Sequence, residues 1–412
     1  MKTKEIKKLI AAQQARHALD RTFYTDEDIY RREIERIFLR AWQYAGHVSE
    51  VPETGDWFLF EFATESVIIV RSDEHSVKAL VNVCRHRGSR LRTEARGCAN
   101  RFNCPYHGWT YALDGRLLVA AYMDEGFDKS KHGLKTIHCE VLDGMIFVNF
   151  AEQPAPFSIF REELAERLAP YDLAQAKVAH RQSYPIAANW KLAVENYQEC
   201  YHCAPSHPEY ARGHALAKPG ARTSDLMEQA FARRPACGLG TRQVNKAYTS
   251  ARAFGADAVY NAYPMWQGHV TGSEDGQPVA PLLGSISGYD GSCTDLQCGP
   301  LMFALMYCDH VVIYRFTPVD LQRSNCDITW LVRGDAVEGQ DYDKGKLTWL
   351  WDVTTHADKR IIETNAKGVM SSHYQPGPLS SMETFLGTFL EWYLDTLRDS
   401  SRRPVAVKQA GP

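Results

Sequence analysis

Hydrophobic positions along the chain change period twice. The opening stretch, MKTKEIKKLIAAQQARHAL, sets apolar residues at helical spacing against lysines and predicts an amphipathic helix, without the apolar run of a secretory signal. Thr25 followed by Asp26, Glu27 and Asp28 marks a second helix start, with acidic groups at its positive end. That helix directs Ile29, Ile34, Ile37 and Phe38 towards Trp42. From about Gly55 the period shortens to two: WFLFEF (57–62), SVIIVR (66–71), KALVNV (78–83) and MIFVNF (145–150), parted by Gly, Asp and Asn turns, predict a small antiparallel β unit. A Pro-containing stretch, Glu152 to Phe157, separates it from a mixed second half.

In that half FREELAERLAPY predicts a helix stopped near Pro170, and NWKLAVENYQECYH a second helix. HVVIYRF (310–316) and CDITWLVR (326–333) predict half-buried antiparallel strands, and about 341–368 a long helix. Roughly 212–300 is rich in Gly, Pro and short polar runs and predicts long pocket-forming loops. The tail from Arg398 predicts a frayed, solvated end. The expected class is α+β, in two domains for a chain of 412 residues.

Composition narrows the function classes. The chain is 44% hydrophobic and 24% charged, with no apolar run long enough to cross a bilayer and neither internal repeat nor low-complexity segment. A net charge of −3 offers no general attraction to nucleic acid or an anionic membrane. Eleven cysteines without a leader argue for reduced thiols and metal ligation in a cytoplasmic protein.

The chemistry gathers in two stretches. In CRHRGSRLRTEARGCANRFNCPYH, Cys84 and His86 form one pair and Cys104 and His107 another, with 17 residues, Arg87 to Asn103, between them. Two thiolates on one iron and two imidazoles on the other describe a Rieske [2Fe–2S] cluster, whose neutral imidazoles raise the reduction potential. Gly88, Gly97, Pro105 and Gly108 let the loops bend around it. A structural Cys2His2 zinc site uses the same ligand types, although zinc fingers group Cys with Cys and His with His.

The second stretch is ENYQECYHCAPSHPEY (195–210). His202 and His207 are five apart, about 140° around a regular helix, so they share a metal only if Pro205 and Pro208 break the helix. An iron site with open positions also needs a carboxylate. Asp358 in the late helix shares an apolar face with Trp351, Thr354, Ile361 and Ile362, where an unpaired carboxylate is costly. Asp352 and Glu363 lie off that face.

On these two motifs, C-x-H…C-x2-H at 84–107 and E-x3-E-x-Y-H-x4-H at 195–207, the chain resembles the α-subunit of Rieske non-heme iron aromatic-ring-hydroxylating oxygenases over nearly its whole length. The resemblance implies N-terminal helices (1–42), a Rieske domain (43–155) and a helix-grip, START-like catalytic domain (156–412) with an antiparallel sheet and a long C-terminal helix. It implies mononuclear Fe(II) on His202, His207 and Asp358, and Glu199 bridging to the cluster ligand His107 of the neighbouring subunit in a trimer. Most of the family has Asp where this chain has Glu199. The string ECYHCAPSHPE looks like the branch acting on quaternary amines such as glycine betaine or carnitine.

No G-x-G-x-x-G fingerprint follows a strand, so electrons from NAD(P)H are expected through a separate reductase. Three functions follow: hydroxylation of an N-methyl group with release of formaldehyde, hydroxylation of an aromatic carboxylate, and an electron carrier or redox sensor. A quaternary ammonium calls for aromatic faces, for which Tyr260, Tyr263 and Trp266 are candidates. An aromatic acid calls for an arginine clamp, but Arg212, Arg222 and Arg242 are expected to be solvated. Cys98, Cys200, Cys203, Tyr201, His310 and His373 are expected to play packing or structural parts.

Overall fold

The computed structural model describes residues 3–214, 223–248, 257–266 and 268–398. Arg222 and nearly all of the tail expected beyond Arg398 lie outside them. The opening helix, Thr3–Ala12, buries Ile6 and Ile10 and packs on the last helix, Thr384–Arg398. Asp26 caps the next helix, Glu27–Glu33, accepting from the N–H groups of Asp28 and Ile29 at 2.9 and 3.0 Å. That helix continues as a π-turn, Ile34–Phe38.

Glu33 ties this N-terminal region to the second half of the chain. It accepts from Lys191 Nζ at 2.7 Å, Trp190 Nε1 at 2.8 Å and the Tyr393 hydroxyl at 2.5 Å, and Glu33 and Lys191 are both fully buried. A buried pair with extra hydrogen bonds is worth little against an apolar substitute, but losing one partner strands a charge.

The predicted β runs form a seven-stranded antiparallel sheet. Its order is Gln43–His47, Met145–Asn149, Thr136–Leu142, Ser76–Val81, Glu65–Asp73, Asp56–Phe62 and Arg96–Cys98. A three-stranded sheet, Phe102–Asn103, Thr110–Tyr111 and Leu117–Val119, sits beside it.

The second half is a seven-stranded antiparallel sheet ordered Ala176–Ile186, Arg323–Arg333, Val311–Asp320, Met302–Met306, Ser292–Cys298, Ala258–Pro264 and Val244–Lys246. The long helix runs Lys344–Val369 from an Asp343 cap and packs against the sheet's first strand and the helix Trp190–Tyr197. This is the helix-grip arrangement of an α+β chain.

Three expectations need correction. The strands around 310–333 are buried on both faces: Val312, Tyr314 and Phe316 enter one core and Val311 and Ile313 another, because helices cover one face and the Ser158–Leu168 side covers the other. The region 212–300 is not only loops. It contributes the helix Thr223–Arg233 and three strands of the second seven-stranded sheet. Those strands carry Asn, Gln and Thr at buried positions, which hides the alternation. The helix predicted over 189–202 stops at Tyr197, because Glu199 turns back and accepts from the N–H groups of Tyr201 and His202.

Candidate functional site

The two cluster loops follow one backbone plan. In the first, the Cys84 N–H donates to Ser89 O at 2.8 Å and the Gly88 N–H to Cys84 O at 3.0 Å. In the second, the Cys104 N–H donates to Trp109 O at 2.7 Å and the Gly108 N–H to Cys104 O at 3.1 Å. Gly88 and Gly108 close these turns at φ +79° and +70°, a region L side chains avoid. The plan buries both cysteines and leaves both imidazoles at the surface, with ring centroids 4.6 Å apart. Trp109 stacks on His86 at 4.9 Å and fixes its plane.

The Tyr111 hydroxyl accepts from the Arg85 N–H at 3.0 Å and lies 3.2 Å from Cys84 Sγ, so its own proton is directed at the sulfur. Thiolates inside and imidazoles outside suit a two-iron cluster that exchanges electrons through its histidine end.

The second site forms where the chain breaks. His202 precedes the short turn Cys203–Ser206, and His207 stands between it and the helix Pro208–Gly213, with φ −145° and ψ 75°. The break brings the two rings to a centroid separation of 5.2 Å. From the long helix, Asp358 Oδ1 comes within 3.2 Å of His202 Nε2 and 3.1 Å of His207 Nε2. These separations suit hydrogen bonds but the directions do not: both His207 ring nitrogens and Asp358 Oδ1 are buried without a partner. Buried polar atoms that converge unsatisfied fit a metal between them.

The other carboxylates are engaged elsewhere. Asp352 accepts from the Tyr184 hydroxyl at 2.8 Å, and Glu363 from the Ala187 N–H at 2.9 Å.

Glu199 supplies the orientation. Its Oε1 lies 2.5 Å from His202 Nδ1, so that nitrogen carries the proton and Nε2 is left to face Asp358. Burial opposes a charge on His202, but the close carboxylates of Asp358 and Glu199 outweigh it and raise the imidazole to about 10. The field that draws a proton to Nε2 draws a divalent cation equally, and the cation replaces the proton. Burial raises Asp358 too, yet the two imidazoles hold it below its ordinary value. Cys203 Sγ lies 4.0 Å from His202 Nε2, but its contact with Cys200 and its burial push the thiol far up, which leaves it a poor metal ligand. Two neutral imidazoles and a carboxylate, with remaining positions free, form the donor set of a non-heme iron that binds O2.

A cavity of about 680 Å³ adjoins this site, with Glu199, Cys200 and Tyr210 in its wall. The Tyr210 ring stands 5.6 Å from His207. Mostly odd-numbered positions of three strands line the cavity, Val259 and Tyr263, then Cys293, Asp295 and Gln297, then Phe303 and Leu305, with Pro264 and Leu296 the even-numbered exceptions. Even-numbered neighbours such as Ala258, Cys298, Met302 and Ala304 pack in the opposite core.

This alternation corrects two of the aromatic candidates. Tyr260 falls on the far face, buried, where its hydroxyl accepts from Arg234 Nη2 at 3.1 Å. Trp266 lies beyond the strand's end, 36% exposed and outside the cavity wall. Tyr263 does line it. Tyr197, Phe303 and Asp295 also line it, none of them singled out by sequence; Tyr197 and Phe303 stack at 4.6 Å. The one ionisable carboxylate inside the otherwise uncharged run SCTDLQC was the available signal for Asp295. Arg212 and Arg242 are exposed, as is His373, while His310 is buried against Asp309 at 2.8 Å.

Comparison with known proteins agrees with this anatomy. Residues 41–138 match the Rieske [2Fe-2S] domain, and residues 173–399 match the ring hydroxylating alpha subunit catalytic domain. The chain belongs to the ring-hydroxylating α-subunit family, the Rieske non-heme iron oxygenases. Because the Rieske match spans the whole 84–107 stretch, the cofactor of that domain is a [2Fe–2S] cluster and not zinc.

Among relatives, the chain is 36% identical to the glycine betaine monooxygenase oxygenase subunit of Chromohalobacter salexigens, covering 94% of this chain and 88% of that protein. It is 28% identical to the carnitine monooxygenase oxygenase subunit of Escherichia coli, covering 86% and 84% respectively. In fold it matches the quaternary ammonium Rieske monooxygenase CntA with a TM-score of 0.70 at 23% identity, over 94% of this chain and 97% of that one. It matches naphthalene 1,2-dioxygenase from Rhodococcus sp. with a TM-score of 0.68 at 18% identity, over 97% and 99%. No helix among the described residues is long and apolar enough to cross a membrane.

Proposed function

We propose that this chain is the oxygenase component of a system that hydroxylates an N-methyl group of a small quaternary or tertiary amine. The hydroxylated methyl leaves as formaldehyde. The observation that carries this reading is the cavity wall, which offers Tyr197, Tyr210, Tyr263, Phe303 and Phe385 to a substrate and no Arg or Lys among its described residues. Aromatic faces attract a methylated ammonium without needing hydrogen bonds from it. An aromatic carboxylate, a net anion with no ammonium of its own, would find no cationic clamp among those described residues. The relatives that act on glycine betaine and carnitine support the same substrate class.

The roles follow the chain: residues 1–42 brace the catalytic part, 43–155 carry the cluster on Cys84, His86, Cys104 and His107, and 156–412 perform the oxidation. We assign mononuclear iron to His202, His207 and Asp358; when bound, it supplies activation of O2. The unpartnered, converging atoms of His207 and Asp358 speak against a chain that only carries electrons. Glu199 holds His202 in one tautomer, and its own side chain is 10% exposed, near a surface where Tyr201 projects. The cluster's histidine end projects too, with Tyr106 exposed beside His107. We infer that these surfaces meet head to tail in a trimer, so that Glu199 accepts from His107 of the partner subunit. A separate reductase delivers electrons from NAD(P)H.

The test is a single turnover that needs no native reductase. Chemically reduced protein is exposed to O2 with glycine betaine, carnitine or other methylated amines, and formaldehyde is assayed. Formaldehyde in proportion to reduced clusters is expected. None across the panel, with both metals present, would transfer the proposal to another substrate class.

A further inference from the structure

Asp295 occupies an unusual place for a carboxylate. It lies in the middle of the strand Ser292–Cys298, paired with Asn261 on one side and Leu305 on the other, and its odd position aims it into the cavity. Its neighbours on that face are Cys293 and Gln297, and across the adjoining strands Tyr263, Phe303 and Leu305. Among the described residues no hydrogen bond and no cation opposes its burial, which alone lifts the carboxyl to about 7. Its charge is felt instead by Tyr197, Tyr210, Tyr263 and Cys293, none of which is a cation.

Asp295 is half-buried, and the more deeply buried carboxylates among the described residues accept hydrogen bonds, even Asp257, which takes the Tyr248 N–H at 2.7 Å on one oxygen only. Glu33 has three donors, Asp290 has Arg234 at 2.8 Å, and Asp327 has Arg315 at 2.7 Å. An unpaired carboxylate in a low-dielectric wall is costly, and the cost is recovered when a cation enters the space it faces.

We propose that Asp295 is the counter-ion of the substrate's methylated ammonium, which it holds against the aromatic faces of Tyr197, Tyr263 and Phe303. This rests on the N-demethylation reading and adds to it a specificity-determining residue. The aromatic faces accept any compact apolar or cationic group. Asp295 makes the distinction between them: it favours the cation over a neutral group of the same shape and repels a carboxylate placed there. Binding is non-covalent, and the carboxylate keeps its place while the N-methyl group reacts.

The experiment measures affinity separately from turnover. Holoenzyme with both metals loaded is titrated calorimetrically with choline and with 3,3-dimethylbutan-1-ol, which has the same shape but carbon in place of the charged nitrogen. Wild type is expected to prefer choline. Asp295→Asn is expected to weaken choline binding by about 10- to 100-fold, the loss of one charged partner in a desolvated site, and to leave the neutral alcohol unchanged. Asp295→Glu should retain most of the preference, and cluster absorbance and iron content establish that both variants are folded. Equal choline affinity in wild type and Asp295→Asn, or no preference in wild type, overturns the proposal.

The two readings fail separately. Formaldehyde from methylated amines with choline binding untouched by Asp295→Asn removes only the counter-ion. No formaldehyde, with a choline preference that Asp295→Asn abolishes, removes N-demethylation and keeps Asp295 as a cation site.

Discussion

At the scale of single residues, two carboxylates show how surroundings assign a part. Asp358 meets two imidazoles and no hydrogen-bond donor in good alignment. Asp358→Ala is expected to lower total iron from about three atoms per chain to about two while the cluster spectrum survives. Iron analysis beside visible absorption checks this, and full iron occupancy would pass the role to another group. Glu195 is half-buried in the helix Trp190–Tyr197 and receives the Tyr24 hydroxyl at 3.0 Å. Burial lifts its carboxyl from 4.5 to about 7 despite Tyr24 and Lys191.

The raised value has a definite sign. Below about 4.5 the folded and unfolded chains both carry the proton, and the favourable difference is complete. As pH rises through about 7 the folded chain must bury a charge, and that stability is lost. Glu195→Gln keeps an acceptor for Tyr24 and removes the titration. It should therefore gain on wild type by up to about 3 kcal/mol between pH 5 and 8. Denaturant unfolding at several pH values measures the difference, and a pH-independent offset would count against it.

At the scale of elements, the cluster loops were the most legible part of the chain. Their ligands lie two and three residues apart, and each turn is closed by its own hydrogen bonds and its own glycine. Local sequence therefore contains nearly all the information that shapes them. The glycines nevertheless act in different ways. A Cβ at Gly88 meets nothing within 4 Å, so Gly88→Ala costs only the strain of positive φ, about 1 kcal/mol. A Cβ at Gly97 would stand 2.9 Å from the buried Trp57 ring, so Gly97→Ala is expected to destabilise more. Thermal unfolding followed at the cluster's absorbance ranks the two, and the reverse order would contradict the packing argument. The helix predicted through His202 was misjudged because a single side chain, Glu199, offered the backbone another partner.

At the scale of the whole molecule, the proposed head-to-tail electron transfer makes a prediction that a single chain cannot imitate. One variant, Cys104→Ser, lacks the cluster, and another, Asp358→Ala, lacks the mononuclear iron. Each alone should be inactive. In trimers purified through a different tag on each variant, one junction in three joins an intact cluster to an intact iron of the next subunit. Such trimers should recover about a third of wild-type turnover. Transfer within one chain predicts none, because every chain is missing one metal site.

The sequence by itself determined the spacing of the Cys and His pairs in 84–107, the paired histidines broken by prolines, the Asp358 face of the late helix and the α+β class. Each of these is written in spacing along a few residues or in the period of one element, so neighbours in sequence carry the signal. Tertiary structure decided what the cavity is made of. Tyr260 and Tyr263 stand three apart, yet one faces a buried arginine and the other the cavity, because a strand turns alternate side chains to opposite faces. Register between strands far apart in sequence then sets Asp295 beside Leu305 and Asn261, and a helix from early in the domain brings Tyr197 onto Phe303. A carboxylate's surroundings are fixed by such long-range pairings, and so is the chemistry it is free to perform.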